Sequence, residues 1–359
     1  MDDRIRTLQT YPMVELARRK RALEDAGVDV LDFGTGDPKE ATATLIREAL
    51  IDAVHEVSQY PSVLGLPELR EAFCTWFEAR FDVPLDPETE AIPSRGSKEA
   101  IFHLPLVLID TDQPTQRVVY PEPGYPVMEI GTLYATGARH AHPLTAENRY
   151  LMDPRDVPEA ELARAKIVWL NYPHNPTGQD LPESLWRAWV DARDAYGFVL
   201  CSDECYTELY FGDRPRSLLE FGRKGCLVFH SLSKRSGMTG YRSGMIAGDP
   251  ELIALYRSQR AGFGQANVDF IQVASAAAWR DEEHVEARRR VFGRKRDVIR
   301  TGLEALGLEL FPSTSTFYLW VRAPDGETGA GYADRLLEHG IVVSPGGFFG
   351  SGNEDWFRI

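Results

Sequence analysis

The sequence predicts an α/β fold: a large domain with a mostly parallel central sheet flanked by helices, and a smaller α+β domain. Three observations carry this. From about residue 90 to residue 230, short apolar runs alternate with helical segments. The runs are continuously apolar, which is how strands covered on both faces read. The chain has 359 residues, more than one small core uses and enough for a large domain beside a small one.

The elements follow in order. Residues 13–26 have helical spacing, with Met13, Leu16, Ala17 and Leu23 on one side and Arg18 to Arg21 toward water. A short strand at Val30–Phe33 ends in Gly34-Thr-Gly-Asp-Pro38, a turn where backbone can approach a ligand. Leu45 to Val57 is a helix, and Pro67 opens the next, which runs to about Arg80. Ser94-Arg-Gly-Ser-Lys98 opens another. The strand Arg117–Tyr120 leads into the turn Pro121-Glu-Pro-Gly-Tyr-Pro126 and a helix. The strand Lys166–Leu170 ends in Asn171-Tyr-Pro-His-Asn-Pro-Thr-Gly178, before a helix from Leu181 to Tyr196. Gly197–Cys201 ends at Ser202-Asp-Glu-Cys-Tyr206, and Cys226–Phe229 ends at Ser231-Leu-Ser-Lys-Arg-Ser-Gly-Met-Thr-Gly-Tyr-Arg-Ser-Gly244. Open parallel sheets bind ligands beyond the carboxyl ends of their strands, so these polar turns converge on one crevice. Residues 250–305 are helix-rich, with one long helix from Asp281 to Leu306. Strands at Phe317–Val321 and Ile341–Val343, with a helix near 329–338, form the small unit, and Trp356–Ile359 reads as a strand.

Composition is globular, with 43% hydrophobic and 26% charged residues. The formal net charge of −14 argues against generic binding to nucleic acid or anionic membranes. Anionic ligands must then be held by individual cations. The four cysteines, Cys74, Cys201, Cys205 and Cys226, make no CxxC pair and read as reduced thiols in a reducing compartment. No apolar signal core opens the chain and no stretch spans a bilayer. The expectation is a soluble cytoplasmic protein.

Lys234, at a strand end among hydroxyls and eight residues before Arg242, suits a covalent bond to an aldehyde cofactor beside a phosphate. A pyridoxal phosphate site needs more than a lysine. A carboxylate must hold the pyridine nitrogen protonated, and Asp203 follows an apolar strand. The phenolic oxygen needs hydrogen-bond partners, and Asn175 and Tyr206 are available. Tyr125 can stack on the ring. Gly96, Ser97 and Lys98 open a helix that can take the phosphate, with Ser231, Ser233 and Arg242 completing the cup. Each residue taken singly has a plainer use. Lys234 can be solvated, Asp203 a helix cap, Asn175 an Asx-turn before Pro176, Tyr206 a core side chain, Tyr125 a packed turn and Ser97 an N-cap.

In order along the chain, these segments resemble the class I/II aminotransferases, the pyridoxal-phosphate enzymes of fold type I. The resemblance rests on Gly36-Asp-Pro38, Tyr60 with Gly65 and Leu69-Arg70, Gly96-Ser-Lys98, Pro123-Gly-Tyr125, Asn171 to Gly178, Asp203-Glu-Cys-Tyr206, Ser231-Leu-Ser-Lys234, Arg242 and Phe357-Arg-Ile359. It covers nearly the whole chain. It implies a large cofactor-binding domain over 42–280 and a small domain from 1–41 and 281–359. It implies that Lys234 is the Schiff-base lysine and proton shuttle, and that Asp203, Tyr206, Asn175 and Tyr125 hold the cofactor ring. Ser97, Lys98 (through its backbone N–H), Ser231 and Arg242 match the phosphate cup. Tyr60 matches a tyrosine that reaches the phosphate of a neighbouring subunit, which implies a homodimer. Arg358 matches the arginine that grips the substrate α-carboxylate, with Gly36 and Asn175 lining the same pocket.

Within the class, Ser231 to Arg242, Ser315-Thr-Phe-Tyr-Leu-Trp320 and Pro345-Gly-Gly-Phe-Phe-Gly350 look most like the N-succinyldiaminopimelate aminotransferases of lysine biosynthesis. That implies glutamate as donor and N-succinyl-2-amino-6-oxopimelate as acceptor, with Arg95, Lys39 and Arg235 as candidates for its further carboxylates, Arg235 reading equally as a solvated neighbour of the lysine. An aspartate, alanine or LL-diaminopimelate aminotransferase is the alternative within the class. A non-catalytic pyridoxal-phosphate sensor module is the alternative outside it, though Met1 to Thr10 leaves no room for a winged-helix domain. Family members continue beyond the carboxylate-binding arginine, whereas one residue follows Arg358 here. The expectation is an arginine on a fraying end, with poor stability or weakened carboxylate binding.

Overall fold

The computed structural model describes residues 12–136 and 138–359. Residues Met1 to Tyr11 and the Met13 side chain, part of the expected first helix face, lie outside the described residues.

After the helix Pro12–Asp25, the short strand β1 (Leu31–Asp32) leads toward the main sheet. That sheet is built from β2 (Ala91–Ser94), β3 (Arg117–Glu122), β4 (Arg139–Pro143), β5 (Ala165–Asn171), β6 (Val199–Asp203), β7 (Cys226–Ser231) and β8 (Gly244–Gly248). Its order is β2-β8-β7-β6-β5-β3-β4. Neighbours from β7 across to β4 run parallel, and β8 is antiparallel to both β7 and β2. The expected mostly parallel sheet is present. The sequence patterning missed β2, β4 and β8. β4 has half-exposed polar residues and no apolar run, and β8 starts and ends in glycine.

Alternate residues of the central strands enter two separate cores. Val168, Leu170, Leu200 and Val228 pack on one face, with Phe73, Phe77, Trp186 and Trp189 from flanking helices. Ile167, Trp169, Val199 and Phe229 pack on the other, with Ala100, Ile101, Leu104 and Met128. A strand period of two sends successive side chains to opposite faces, so a strand buried on both sides must be apolar throughout. Each such side chain contributes about 1.5–3 kcal/mol of burial.

The last part of the chain carries the long helix Glu283–Ala305, then β9 (Trp320–Arg322), the helix Gly329–Glu338, β10 (Ile341–Val342), β11 (Ser344–Pro345) and β12 (Trp356–Arg358). β1 pairs in parallel with β10. β12 is the middle strand of a three-stranded sheet, antiparallel to β11 and β9. The predicted strand over 317–321 begins only at Trp320. Thr316 has φ of +60°, and this left-handed residue breaks the extended run and re-aims Phe317 and Tyr318.

Candidate active site

The carboxyl ends of three adjacent parallel strands supply Asn171, Asp203 and Ser231. Beyond them lies a cavity of about 500 Å³, lined by Ser97, Lys98, Tyr125, Asn175, Asp203, Tyr206, Ser231, Ser233, Lys234 and Arg242, and on its other side by Gly36, Tyr318, Phe349 and Arg358. Six polar turns and three later segments of the chain therefore meet in one place, as expected for an open α/β sheet.

Asp203 is buried, and its Oδ1 has no hydrogen-bond partner. Burial pushes its carboxyl up to about 7, against hydrogen bonds from Cys205. A buried carboxylate oxygen without a partner is costly unless a ligand donates to it. Asn171 Nδ2 donates to the Asp203 carbonyl at 3.2 Å, fixing the turn behind it.

Lys234 lies in the single helical turn Leu232–Arg235, capped by Ser231, whose Oγ accepts from Ser233 N at 3.2 Å. The lysine Nζ reaches into the cavity and donates to the Gly36 carbonyl at 2.5 Å. Gly36 has φ of +63°, and a Cβ there would stand 2.5 Å from the Tyr318 hydroxyl. Only glycine fits this turn against that ring.

At the opposite side, the helix Ser97–Leu108 starts at Gly96, with φ of +80° and no side-chain cap. Its first residues, Ser97 and Lys98, line the cavity, and a helix start favours an anion. A Cβ on Gly96 would stand 2.7 Å from Arg242 Nη2. Arg242 is held by the Thr239 carbonyl at 3.0 Å and the Arg95 carbonyl at 3.2 Å. Burial, and then the Arg242 guanidinium beside it, push the Lys98 ammonium below its ordinary value. Crowded cations at an uncapped helix start suit an anion.

Arg358 is buried, and this corrects the expectation of a fraying end. It sits on the central strand β12, with Nη1 donating to Asn175 Oδ1 and Nη2 to the Gly34 carbonyl, each at 2.9 Å. Its guanidinium stacks on Tyr318 at 4.0 Å and on Phe349 at 4.6 Å. Ile359 exchanges two 2.9 Å backbone bonds with Leu319, which secures the strand.

Tyr206 is buried, and its hydroxyl lies 2.8 Å from that of Tyr318. Burial, and then Tyr318, push the Tyr206 hydroxyl well above its ordinary value. The sequence did not single out Tyr318, Cys205 or Phe349 as site residues. Tyr318 sits inside an apolar run, and nothing in that pattern tells which way its hydroxyl points.

Other expected residues fall elsewhere. Tyr60 is fully exposed on the loop after the helix Thr44–Asp52 and does not line the cavity. Arg235 is not a site cation. It is buried under Trp76 and Trp279, bonded to the Ala278 carbonyl at 2.7 Å and paired with Glu282. Arg95 lines a neighbouring hollow with Lys98 and Arg242, and Lys39 is exposed.

The model of the aminotransferase class I and II family matches residues 28–359. The chain belongs to this family. It is a pyridoxal-phosphate-dependent transaminase. It is 40% identical over 364 residues to the LL-diaminopimelate aminotransferase of Aquifex aeolicus, covering 99% of this chain and 93% of that one. A second such enzyme, from Nitratidesulfovibrio vulgaris, is 37% identical with the same coverage. Among solved structures, an aminotransferase from Neisseria meningitidis superposes with a TM-score of 0.91 at 33% identity, covering 100% of this chain and 95% of that chain. Aspartate aminotransferase from Thermus thermophilus with maleate superposes with a TM-score of 0.92 at 27% identity, covering 100% and 94%. The residues present fit the cofactor. The orphaned Asp203 oxygen suits a pyridinium N–H, the cation-rich helix start suits a phosphate, and Lys234 lines the same cavity.

No helix among the described residues is long and apolar enough to cross a membrane. All four cysteines are unpaired, and three of them are buried.

Proposed function

We propose that this transaminase moves an amino group between LL-diaminopimelate and an oxo acid, with glutamate as the partner amino acid, in the diaminopimelate branch of lysine biosynthesis. The observation that carries the reading is the 40% identity to an LL-diaminopimelate aminotransferase across 99% of the chain. It replaces the expectation of a succinylated acceptor, since the two relatives above carry the unsuccinylated name.

The bound cofactor supplies an electron-withdrawing ring that stabilises negative charge at the substrate α-carbon. In this reading the chain's own groups do the rest. Lys234 holds the cofactor and then carries the proton to and from the α-carbon. Asp203 accepts the ring N–H, which keeps that nitrogen charged. Asn175 offers its Nδ2 amide and Tyr206 its hydroxyl to the phenolic oxygen, while Tyr125 covers the ring. The N–H groups of Gly96 to Lys98, with Ser231, Ser233 and Arg242, hold the phosphate. Arg358 takes the substrate α-carboxylate as a planar fork, with Gly36 beside it. Tyr60 reaches the phosphate of a second copy, and its full exposure next to exposed Ile51, Val54 and Val57 supports a homodimer. The unpaired cysteines support a reducing, cytoplasmic setting.

The test is a half-reaction panel. The pyridoxal form of the enzyme is mixed with LL-diaminopimelate, its N-succinyl derivative, glutamate, aspartate and alanine, and conversion of the cofactor absorption is timed. LL-diaminopimelate and glutamate should convert it with the highest kcat/KM. Faster conversion by the succinylated compound, aspartate or alanine would contradict the assignment.

A further inference from the structure

Tyr318 has no part in the chemistry assigned above, yet it touches three of the groups that do. Its side chain is buried, and its hydroxyl lies 2.8 Å from the Tyr206 hydroxyl. The Arg358 guanidinium stacks on its ring at 4.0 Å. Gly36, whose carbonyl accepts from Lys234 Nζ, is packed so closely against the ring that a Cβ has no room.

The two hydroxyls share a simple constraint. A phenol has one proton to donate and can also accept. Between two phenols in contact, one donates and the other accepts. If Tyr206 donated to Tyr318, its one proton would be used there and none would be left for a ligand in the cavity. Among the described residues, Tyr206 is the hydrogen-bond partner found for the Tyr318 hydroxyl. Tyr318 is therefore free to be the donor. In that arrangement the Tyr206 oxygen is already satisfied, and its proton must seek an acceptor in the cavity. A hydroxyl that accepts one bond also donates a stronger one, because chains of hydrogen bonds polarise each other.

We propose that Tyr318 is a positioning residue that donates its hydroxyl proton to Tyr206, aims the Tyr206 proton at the cofactor's phenolic oxygen, and carries the Arg358 guanidinium on its ring. The proposal rests on the reading that Tyr206 bonds that oxygen. Tyr206 stays a protonated donor because burial, the largest influence on it, disfavours its phenolate, against the opposing Arg358 charge. One side chain thus links the cofactor end of the cavity to the carboxylate end, through a hydroxyl on one side and a ring on the other.

The hydroxyl and the ring can be separated experimentally. Tyr318→Phe, Tyr318→Leu and Tyr206→Phe are made in the full chain. Pyridoxal phosphate is titrated into each cofactor-free protein. The pH midpoint of the bound cofactor's absorption change is recorded, and kcat and KM for the amino donor are measured. Tyr318→Phe should weaken cofactor binding by roughly three- to tenfold, the loss of one buried hydrogen bond. It should move the absorption midpoint in the same direction as Tyr206→Phe but less far, with KM within about twofold of the parent enzyme. Tyr318→Leu should show the same change in cofactor affinity and also raise KM, because the ring under Arg358 is gone. It carries the cofactor reading alone if Tyr318→Phe fails to fold. The proposal is overturned if Tyr206→Phe shifts the midpoint and affinity while neither Tyr318 variant does. If Tyr206→Phe shifts neither, the reading of Tyr206 on which the proposal rests fails, and the proposal with it.

Discussion

At the sheet end of the cavity, polar groups stand unpaired or crowded by like charge. At the end built by the last strand, they are already largely compensated. Asp203 keeps a buried oxygen without a partner, and burial, and then the nearby Arg242, disfavour the Lys98 ammonium. Arg358, by contrast, has two acceptors at 2.9 Å and two aromatic faces, and only its Nε is left without a partner. The first end suits a resident group that stays bound and whose charges complete the site. The second suits a cation that must take and release a carboxylate at every turnover without collapsing between times. Local strain at a functional site is offset by the rest of the fold.

The comparison can be broken in four places. Lys234→Ala should have the largest effect, a fall in turnover of at least about a thousandfold, since it removes both the cofactor bond and the proton carrier. Steady-state transamination measures it, and turnover near that of the parent enzyme would contradict the assignment.

Asp203→Asn should lower turnover by about a hundredfold or more while making the cofactor-free protein more stable near pH 8. The folded carboxyl titrates at about 7, above its ordinary value of 3.8. The folded chain therefore binds the extra proton between those values. Stability of the cofactor-free form falls as pH rises from about 4 to about 7, and this loss is complete above 7. Thermal melts across pH should show that slope in the parent protein and a flatter one in Asp203→Asn. Identical slopes would mean that Asp203 is not the strained group.

Arg358→Lys should lower kcat/KM for the amino donor by about tenfold to a hundredfold, by loss of a charged fork, and leave the bound cofactor's absorption unchanged. A change in the absorption with an unaltered KM would erase the division between the two ends. Gly36→Ala should be the smallest, a destabilisation of about 1–3 kcal/mol from the positive φ and the clash with Tyr318, read by denaturant unfolding.

Much of this site was legible in the sequence because strand-end chemistry is local. Asn175, Asp203, Tyr206, Ser231 and Lys234 each follow an apolar run within a few residues, so the pattern that predicts the strand also locates the polar group. The sheet was legible where burial on both faces made strands apolar throughout, as in β5, β6 and β7. It was not legible in β4, whose Arg139-His-Ala-His-Pro143 has no apolar run. Tyr318 and Phe349 escaped because they come from segments far along the chain, and their direction is set by the left-handed Thr316 and by packing on Arg358. Arg235 is neither the ligand cation nor the solvated neighbour that its place beside Lys234 suggested, because its charge is buried against Glu282 and two indole rings. Arg358 lines the cavity, and the fraying end expected of it is absent. A strand with a neighbour on either side is not visible from the chain's last residues alone.

The most direct test of the account is where the cofactor attaches. Borohydride reduction of the holoprotein fixes the cofactor–lysine bond, and mass spectrometry of the digested chain locates it. The account predicts the pyridoxyl mass on Lys234 and none on Lys98. Label on Lys98, or on no lysine of the cavity, would contradict it.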